Sequence, residues 1–178
     1  MLVTPLQLAR VAGAIANDGV MMKPLLVREL RDEEGRVLQA WKPQAERRVV
    51  RPETARLVRD MMERVTREGT AREYAFVPGY RTAGKTGSAQ KAEGSKGYAR
   101  DKFISSFVGF VPAQRPEFVI LVVADEPKSS HWGSEVCGPA FATIAKNAML
   151  HLRLREGTAA PAPAPELMKL PAKVASRQ

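Results

Sequence analysis

The sequence predicts a mixed α/β protein of the α+β type, with helices packed on an antiparallel sheet. Residues 103–111 (FISSFVGFV) and 117–125 (EFVILVVAD) are the strongest strand signals in the chain. The connection between them, Pro112 to Pro116, is too short for a crossover helix, so the two strands run antiparallel if they pair directly. Three further stretches carry apolar residues at helical spacing behind a proline.

Thr4 followed by Pro5 predicts a helix start, a hydroxyl N-cap with proline at the first helical position. Leu8, Val11, Ala12 and Ile15 then form its inner face, and Asn17, Asp18 and Gly19 stop it. LLVREL and RVLQAW flank the polar turn from Arg31 to Gly35 and read as a β-hairpin. Pro52 opens a second helix with Leu57, Met61, Met62 and Val65 inward and Gly69 at its close. Residues 70–101 are rich in Gly, Thr, Ser, Ala and Lys, which predicts an exposed strand plus loop or a ligand loop, with 84–91 as the strand. The 117–125 run is nearly all apolar and is expected to be central, covered on both faces. Pro139 is expected to open the last helix, which runs to about residue 154 with Phe141, Ile144, Ala145, Ala148 and Leu152 inward. After Gly157 the chain turns Pro/Ala-rich, which reads as a disordered or extended tail. The expected organisation is therefore one domain over 1–156 and a tail over 157–178.

Composition narrows the function. The 178 residues carry 28 Lys+Arg and 19 Asp+Glu, a formal net charge of +9. Apolar content of 44% and charged content of 26% exclude a wholly disordered or collagen-like chain. The single cysteine, Cys137, excludes an internal disulfide framework and an all-cysteine zinc site. With only His131 and His151 besides, a multi-ligand transition-metal site is not expected. Aromatic residues make up 6% and do not interleave with the basic ones, so nucleic acid is not an expected partner. No run of 18 apolar residues occurs. The opening MLVTPLQLARVAGAIA lacks the basic region of a signal peptide and suits a helix better.

Three motifs bear on chemistry. Gly79 to Thr86 (GYRTAGKT) matches G-x-x-x-x-G-K-[ST], and VILVVADE supplies an apolar strand ending in acids. A P-loop needs a buried strand before it and a helix directly after it to hold phosphates. AFVP precedes Gly79 and GSAQKAEGSKG follows Thr86, so a P-loop NTPase is the alternative reading and not the first. Ser88 to Lys91 (SAQK) matches S-x-x-K. On a helix that pair shares one face and the lysine can take the serine proton; on a strand the two point to opposite faces, so Ser88 and Lys91 are not expected to meet. The third motif is Lys85, Thr86 and Gly87, followed by Ser88. Taken alone it is a Gly/Thr-rich edge strand.

Four stretches together carry a resemblance. VTPLQLARVAGAIANDG, VPGYRTAGKTGSAQ, FISSFVGFVP and DEPKSSHWGSEVCGPAF resemble, in order and with family-like spacing, the C-terminal half of the class B penicillin-binding protein transpeptidase domain. DEPKSS and VPGYRTAGKTG are most similar to the cell-division (septal, FtsI-type) enzymes. The resemblance covers residues 1 to about 153. It implies a penicillin-binding protein/serine β-lactamase-like fold and a serine D,D-transpeptidase that cross-links peptidoglycan stem peptides, binds β-lactams and needs no metal or cofactor. It places Lys85, Thr86 and Gly87 on an edge strand beside the active site. Lys85 would supply positive charge near the D-alanine carboxylate and the catalytic serines. The hydroxyls of Thr86 and Ser88 would donate to that carboxylate from one strand face. Gly87 would let substrate lie against the strand, and Gln90 would continue the groove. By resemblance the Ser88 backbone N–H is half of the oxyanion hole.

The same resemblance shows what these residues lack. The family's S-x-x-K nucleophile and S-x-N lie upstream of the region covered, and no S-x-N occurs in the chain. The chain is therefore expected to be one wall of a site, inactive alone, whose partners are stem peptide or β-lactam, the other half of its own domain and divisome proteins. The resemblance implies a parent anchored in the cytoplasmic membrane with this domain on the extracytoplasmic side. The strand at 117–125 would pair with the other half of the domain, so the isolated chain is expected to be marginal, oligomeric or partner-dependent. A non-catalytic module that binds peptidoglycan or a partner is the remaining alternative. Among single residues, Asp125 and Glu126 are expected to end a strand. His131 and Trp132 sit in a loop that either borders the cleft or is plain surface. Cys137, just before the expected helix start, reads first as a small buried residue, the alternative being a thiol whose pKa the helix start lowers, and His151 suits a helix C-terminus.

Overall fold

The computed structural model describes residues 3–93 and 97–152. The predicted tail over 157–178 and the domain boundary at 156 lie outside the described residues; the last helix, expected to run to about residue 154, ends at His151 within them.

Helix α1 (Pro5–Ala16) begins on a capping box: Thr4 Oγ1 accepts from Gln7 N at 3.2 Å and Gln7 Oε1 accepts from Thr4 N at 2.8 Å. It stops as predicted at Asn17, and the chain turns away through Asp18 and Gly19, whose φ values are 47° and 85°. A Cβ at Gly19 would stand 2.1 Å from the Val50 carbonyl oxygen, so only glycine fits that turn.

Four short strands follow, β1 (Val20–Met22), β2 (Glu29–Arg31), β3 (Val37–Ala40) and β4 (Ala45–Arg48). The β2–β3 hairpin is the predicted one, and β1 pairs antiparallel with β4 beneath it. The sequence signalled nothing for β1–β4.

Helix α2 spans Pro52–Arg67. Its inner face differs from the predicted one. Leu57 and Met61 are exposed, while Ala55, Arg59, Glu63 and Thr66 are buried. The reason is pairing, since a buried polar group is tolerated when its hydrogen bonds are made. Arg59 donates to the carbonyls of Ile15 and Ala16 at 3.1 and 3.2 Å and lies 2.8 Å from Asp18 Oδ1. Glu63 binds the Arg81 guanidinium, and Thr66 Oγ1 donates to the Thr82 carbonyl at 2.5 Å.

The main sheet has three strands in the order β5 (Ala83–Ala92), β6 (Tyr98–Val111) and β7 (Phe118–Asp125), all antiparallel. The antiparallel pairing of the two apolar runs is as predicted. The central strand is β6, however, and β7 is the outer one among the described strands, a correction to its expected place. Its apolar character follows from helices α1 and α3 (Gly133–His151) lying against it.

Helix α3 starts at Gly133, six residues before Pro139. Pro139 sits inside the helix and leaves the Glu135 carbonyl without its usual donor. The buried stripe is Cys137, Phe141, Ala145 and Met149 at steps of four, whereas Ile144 and Leu152, expected inward, are exposed; on α1 the same holds for Val11. Two core clusters sandwich the sheet. Phe107, Val111, Phe141, Met149 and Val77 form the larger one under α3, with Ala71 and Ala75 from the segment expected to be poor in core residues. Ala83, Phe110 and Ala113 form the smaller one, against Ile15, Ala16 and Met62.

Candidate active site

Among the described residues, strand β5 is a free edge of the main sheet, and it carries Lys85, Thr86, Gly87, Ser88 and Gln90. Its partner β6 sets the register, with Lys85 opposite Val108, Thr86 opposite Phe107, Gly87 opposite Ser106, Ser88 opposite Ser105 and Gln90 opposite Phe103. Strand alternation puts Thr86, Ser88 and Gln90 on the α3 face and Lys85 and Gly87 on the other. Lys85 nevertheless reaches round the edge: its Nζ donates to the Thr86 carbonyl at 2.8 Å and stands 3.5 Å from Thr86 Oγ1. An ammonium and a hydroxyl therefore share one spot on an open strand.

That spot borders a cavity of about 420 Å³ lined by Thr70, Tyr74, Lys85, Thr86, Ser88 and residues 132–135. Three of the predicted site residues thus meet there, with Gly87 between them in the strand. Gln90 is exposed and outside the lining. A second cavity, of about 290 Å³ between α1 and the start of β7, holds none of them.

A Cβ at Gly87 would stand 2.5 Å from Ser106 Oγ, a hydroxyl that can rotate away, so packing alone does not demand glycine there. The Ser88 hydroxyl accepts a hydrogen bond from Gly133 N at 3.0 Å. Trp132, named as a cleft candidate, lines the cavity, and its ring continues a stack. The Phe103 and His131 centroids are 4.4 Å apart, and those of His131 and Trp132 are 4.5 Å apart. The His131 carbonyl accepts from Ser105 Oγ at 2.7 Å, so the loop is tied to β6. Thr70, Tyr74, Ser134 and Glu135 were not named from the sequence: Thr70 and Tyr74 lie in a segment with no motif, and Ser134 and Glu135 lie in the DEPKSSHWGSEVCGPAF stretch without being singled out.

The other two motifs resolve differently. Gly84 to Thr86 lie in a strand that runs unbroken to Ala92, with no helix after Thr86. A phosphate loop needs that helix, so the Gly79–Thr86 match does not form one and the P-loop NTPase alternative is withdrawn. Ser88 and Lys91 point to opposite faces as predicted. Lys91 Nζ binds Asp125 Oδ1 at 2.9 Å and Glu126 Oε1 at 2.7 Å. The Glu126 and Asp125 carboxylates hold that ammonium above the usual lysine range. Asp125 ends β7, and Glu126 turns the chain with a φ of 50°. Cys137 lies inside α3, not before it; it is buried as expected, and burial pushes its thiol up. His151 is the last residue of α3. Among the described residues no helix is long and apolar enough to cross a membrane.

Comparison with known proteins agrees with this geometry. The penicillin binding protein transpeptidase domain family model matches residues 1–146. Stage V sporulation protein D of Bacillus subtilis is 36% identical over 155 residues, covering 86% of this chain and 24% of that protein. Peptidoglycan D,D-transpeptidase FtsI of Buchnera aphidicola is 35% identical over 145 residues, with 81% and 24% coverage. The chain thus spans about a quarter of the length of the curated relatives it matches. Penicillin binding protein 3 of Mycobacterium tuberculosis, complexed with ampicillin, superposes with a TM-score of 0.77 at 32% identity, covering 92% of this chain and 37% of that one. The transpeptidase domain of Burkholderia pseudomallei penicillin-binding protein 3 gives a TM-score of 0.69 at 36% identity, with 88% and 45% coverage. With its free K-T-G edge, its antiparallel sheet between helices and a family match over most of its length, the chain belongs to the class B penicillin-binding-protein transpeptidase family.

Proposed function

We propose that this chain supplies the K-T-G wall of a serine-type peptidoglycan D,D-transpeptidase that works in septal wall synthesis. The observation that carries the reading is the convergence of Lys85, Thr86 and Ser88 on an unpaired strand edge at the mouth of one cavity. The substrate is a stem peptide ending in D-Ala-D-Ala, or a β-lactam in its place. Lys85 brings positive charge to the terminal carboxylate, and the Thr86 and Ser88 hydroxyls donate to it. The flat backbone at Gly87 lets the peptide run along the strand, and Gln90 extends the groove. The Ser88 N–H stabilises the oxyanion that forms when a serine Oγ attacks the carbonyl of the D-Ala-D-Ala bond. The terminal D-alanine leaves as the amine, and an acceptor amine then attacks the ester and frees the serine.

That serine comes from outside these residues. Lys91, the lysine of the S-x-x-K match, binds Glu126 and not Ser88, and no S-x-N occurs in the sequence. Two surfaces fit a complementary segment. Ile104 and Val123, on the same sheet face as Lys85, are 37% and 41% exposed, and the outer edge of β7 has no partner among the described strands. The segment proposed to cover both is the rest of the same transpeptidase domain, held outside the cytoplasmic membrane by an anchor and working with divisome proteins.

The test is intact-mass spectrometry after incubation with benzylpenicillin. The 178-residue chain is expected to keep its mass. The product of the gene read from further upstream is expected to gain the mass of the drug, on a serine outside these residues. An adduct on the 178-residue chain overturns the proposal. A stop codon directly upstream of Met1 would turn the reading toward a non-catalytic peptidoglycan-binding module.

A further inference from the structure

The first turn of α3 has no cap of its own. Trp132 stands at the N-cap position with no side-chain hydrogen bond to the helix, although the first N–H groups of a helix need acceptors. The acceptor for Gly133 N–H is the Ser88 hydroxyl, 3.0 Å away and 45 residues earlier in sequence. The helix start can reach β5 only because residue 133 is glycine: a Cβ there would stand 2.3 Å from the Ser106 carbonyl oxygen and 2.4 Å from the Gly87 carbonyl oxygen. Both obstacles are backbone atoms, which cannot swing aside as a flexible side chain would. Ser105, opposite Ser88, ties the same loop down through the His131 carbonyl at 2.7 Å.

A serine hydroxyl has one proton and two lone pairs. With one lone pair taken by Gly133 N–H, the Ser88 proton remains for a group in the cavity that both residues line. We infer that Gly133 is a positioning residue of the K-T-G site: its N–H holds the Ser88 hydroxyl as acceptor, so that the hydroxyl meets an anionic ligand as donor. Ser88 thereby serves twice, as the cap of α3 and as a ligand contact. This rests on the proposed carboxylate site, and it assigns to Gly133 a role that acts through Ser88.

Two measurements on the complete gene product test it. The first is hydrogen–deuterium exchange over residues 130–137. Ser88→Ala is expected to speed exchange there, and Ser88→Thr to restore protection. The second is the concentration of fluorescent penicillin that gives half-maximal acylation rate. Ser88→Ala and Gly133→Ala are each expected to raise it about tenfold, the loss of one hydrogen bond to an ionised group. Ser88→Thr is expected to stay near wild type. The double variant is expected to be no worse than Ser88→Ala alone, since both changes break one relay. Unchanged exchange in Ser88→Ala, or effects that multiply in the double variant, overturn the inference. If Gly133→Ala does not fold, the two Ser88 variants decide the matter by themselves. A wild-type product that penicillin never acylates overturns the carboxylate-site reading and the ligand half of the inference with it, while exchange still decides whether Ser88 caps α3.

Discussion

On one face of the β5–β7 sheet, α3 closes over Phe107, Ile120, Val122 and Ala124 with a stripe of Phe141, Ala145 and Met149. On the other face, α1 and α2 cover only the end that holds Ala83, Phe110 and Val119, and Ile104 and Val123 stay open to solvent. The closed face is apolar and interlocked: the Phe107 and Phe141 rings lie 4.7 Å apart, tilted by 57°. The half-open face is held by directional pairs, Arg59 with the end of α1 and Glu63 with Arg81. The difference shows how the K-T-G strand is ordered. One side of β5 rests on a finished core, while the side toward Lys85 ends where a complementary segment is proposed to begin.

The largest expected effect breaks the finished side. Phe107→Ala should cost about 4 kcal/mol in urea unfolding, since the ring is fully buried and leaves a cavity. Ile104→Ala, three residues earlier on the open face, should stay within about 0.5 kcal/mol. A large loss at Ile104 would mean that this face is covered in solution by another copy or partner. Next in size is Glu63→Gln, expected to cost about 2 kcal/mol because it removes the charge that neutralises Arg81 and turns one of its two acceptors into an amide donor at a buried site. The double change Glu63→Leu with Arg81→Met should recover part of that loss, as apolar replacement of both partners often does. No recovery would show that the pair also fixes how the chain enters β5.

The closed face was the more legible one in the sequence. The FISSFVGFV and EFVILVVAD runs give its strands. The K-T-G strand itself was legible through its flanking matches. Of the half-open face only α1 was legible, from the Thr4–Pro5 cap and the Asn17 to Gly19 stop; the rest was not, because α2 buries Arg59, Glu63 and Thr66. Hydropathy assigns such residues to solvent, and only their distant partners reverse that. The start of α3 was hidden for the same reason: its cap comes from Ser88, while Pro139 imitates a helix start. The β1–β4 pairing joins strands of three and four mostly polar or exposed residues, too short to show an alternation. The cavity is assembled from the turn after α2, β5 and the first turn of α3, and no local window contains all three.

A smaller effect probes how tightly the closed face excludes water. Burial raises the Cys137 thiol above its usual range. In the unfolded chain the thiol ionises near its ordinary value of about 8.5, while the folded chain still holds the proton. The folded state then binds more protons than the unfolded one, so stability falls as pH rises past that point. Unfolding followed from pH 7 to 10 should show this decline, and Cys137→Ala should flatten it. Iodoacetamide should label Cys137 only as fast as the core opens. Rapid labelling of the folded chain would show that the closed face breathes.

The smallest expected effect lies at the open rim, where Lys91 on β5 reaches past β6 to Asp125 and Glu126 at the end of β7. It is the only ion pair described here that ties the two outer strands of the main sheet, on the face where Ile104 and Val123 are exposed. The paired carboxylates raise the Lys91 pKa, first through Glu126 and then through Asp125. A raised lysine pKa adds stability that is fully present below the unfolded value of about 10.4 and is lost as pH climbs through the folded value. Because the group is exposed, salt should screen most of it. Lys91→Gln should therefore lower the thermal midpoint slightly at low salt and neutral pH, and the difference should shrink toward zero in 1 M salt or above pH 11. A difference that survives both conditions would mean that the Lys91 stem works by covering the apolar rim of the sheet, and that the open face depends on packing after all.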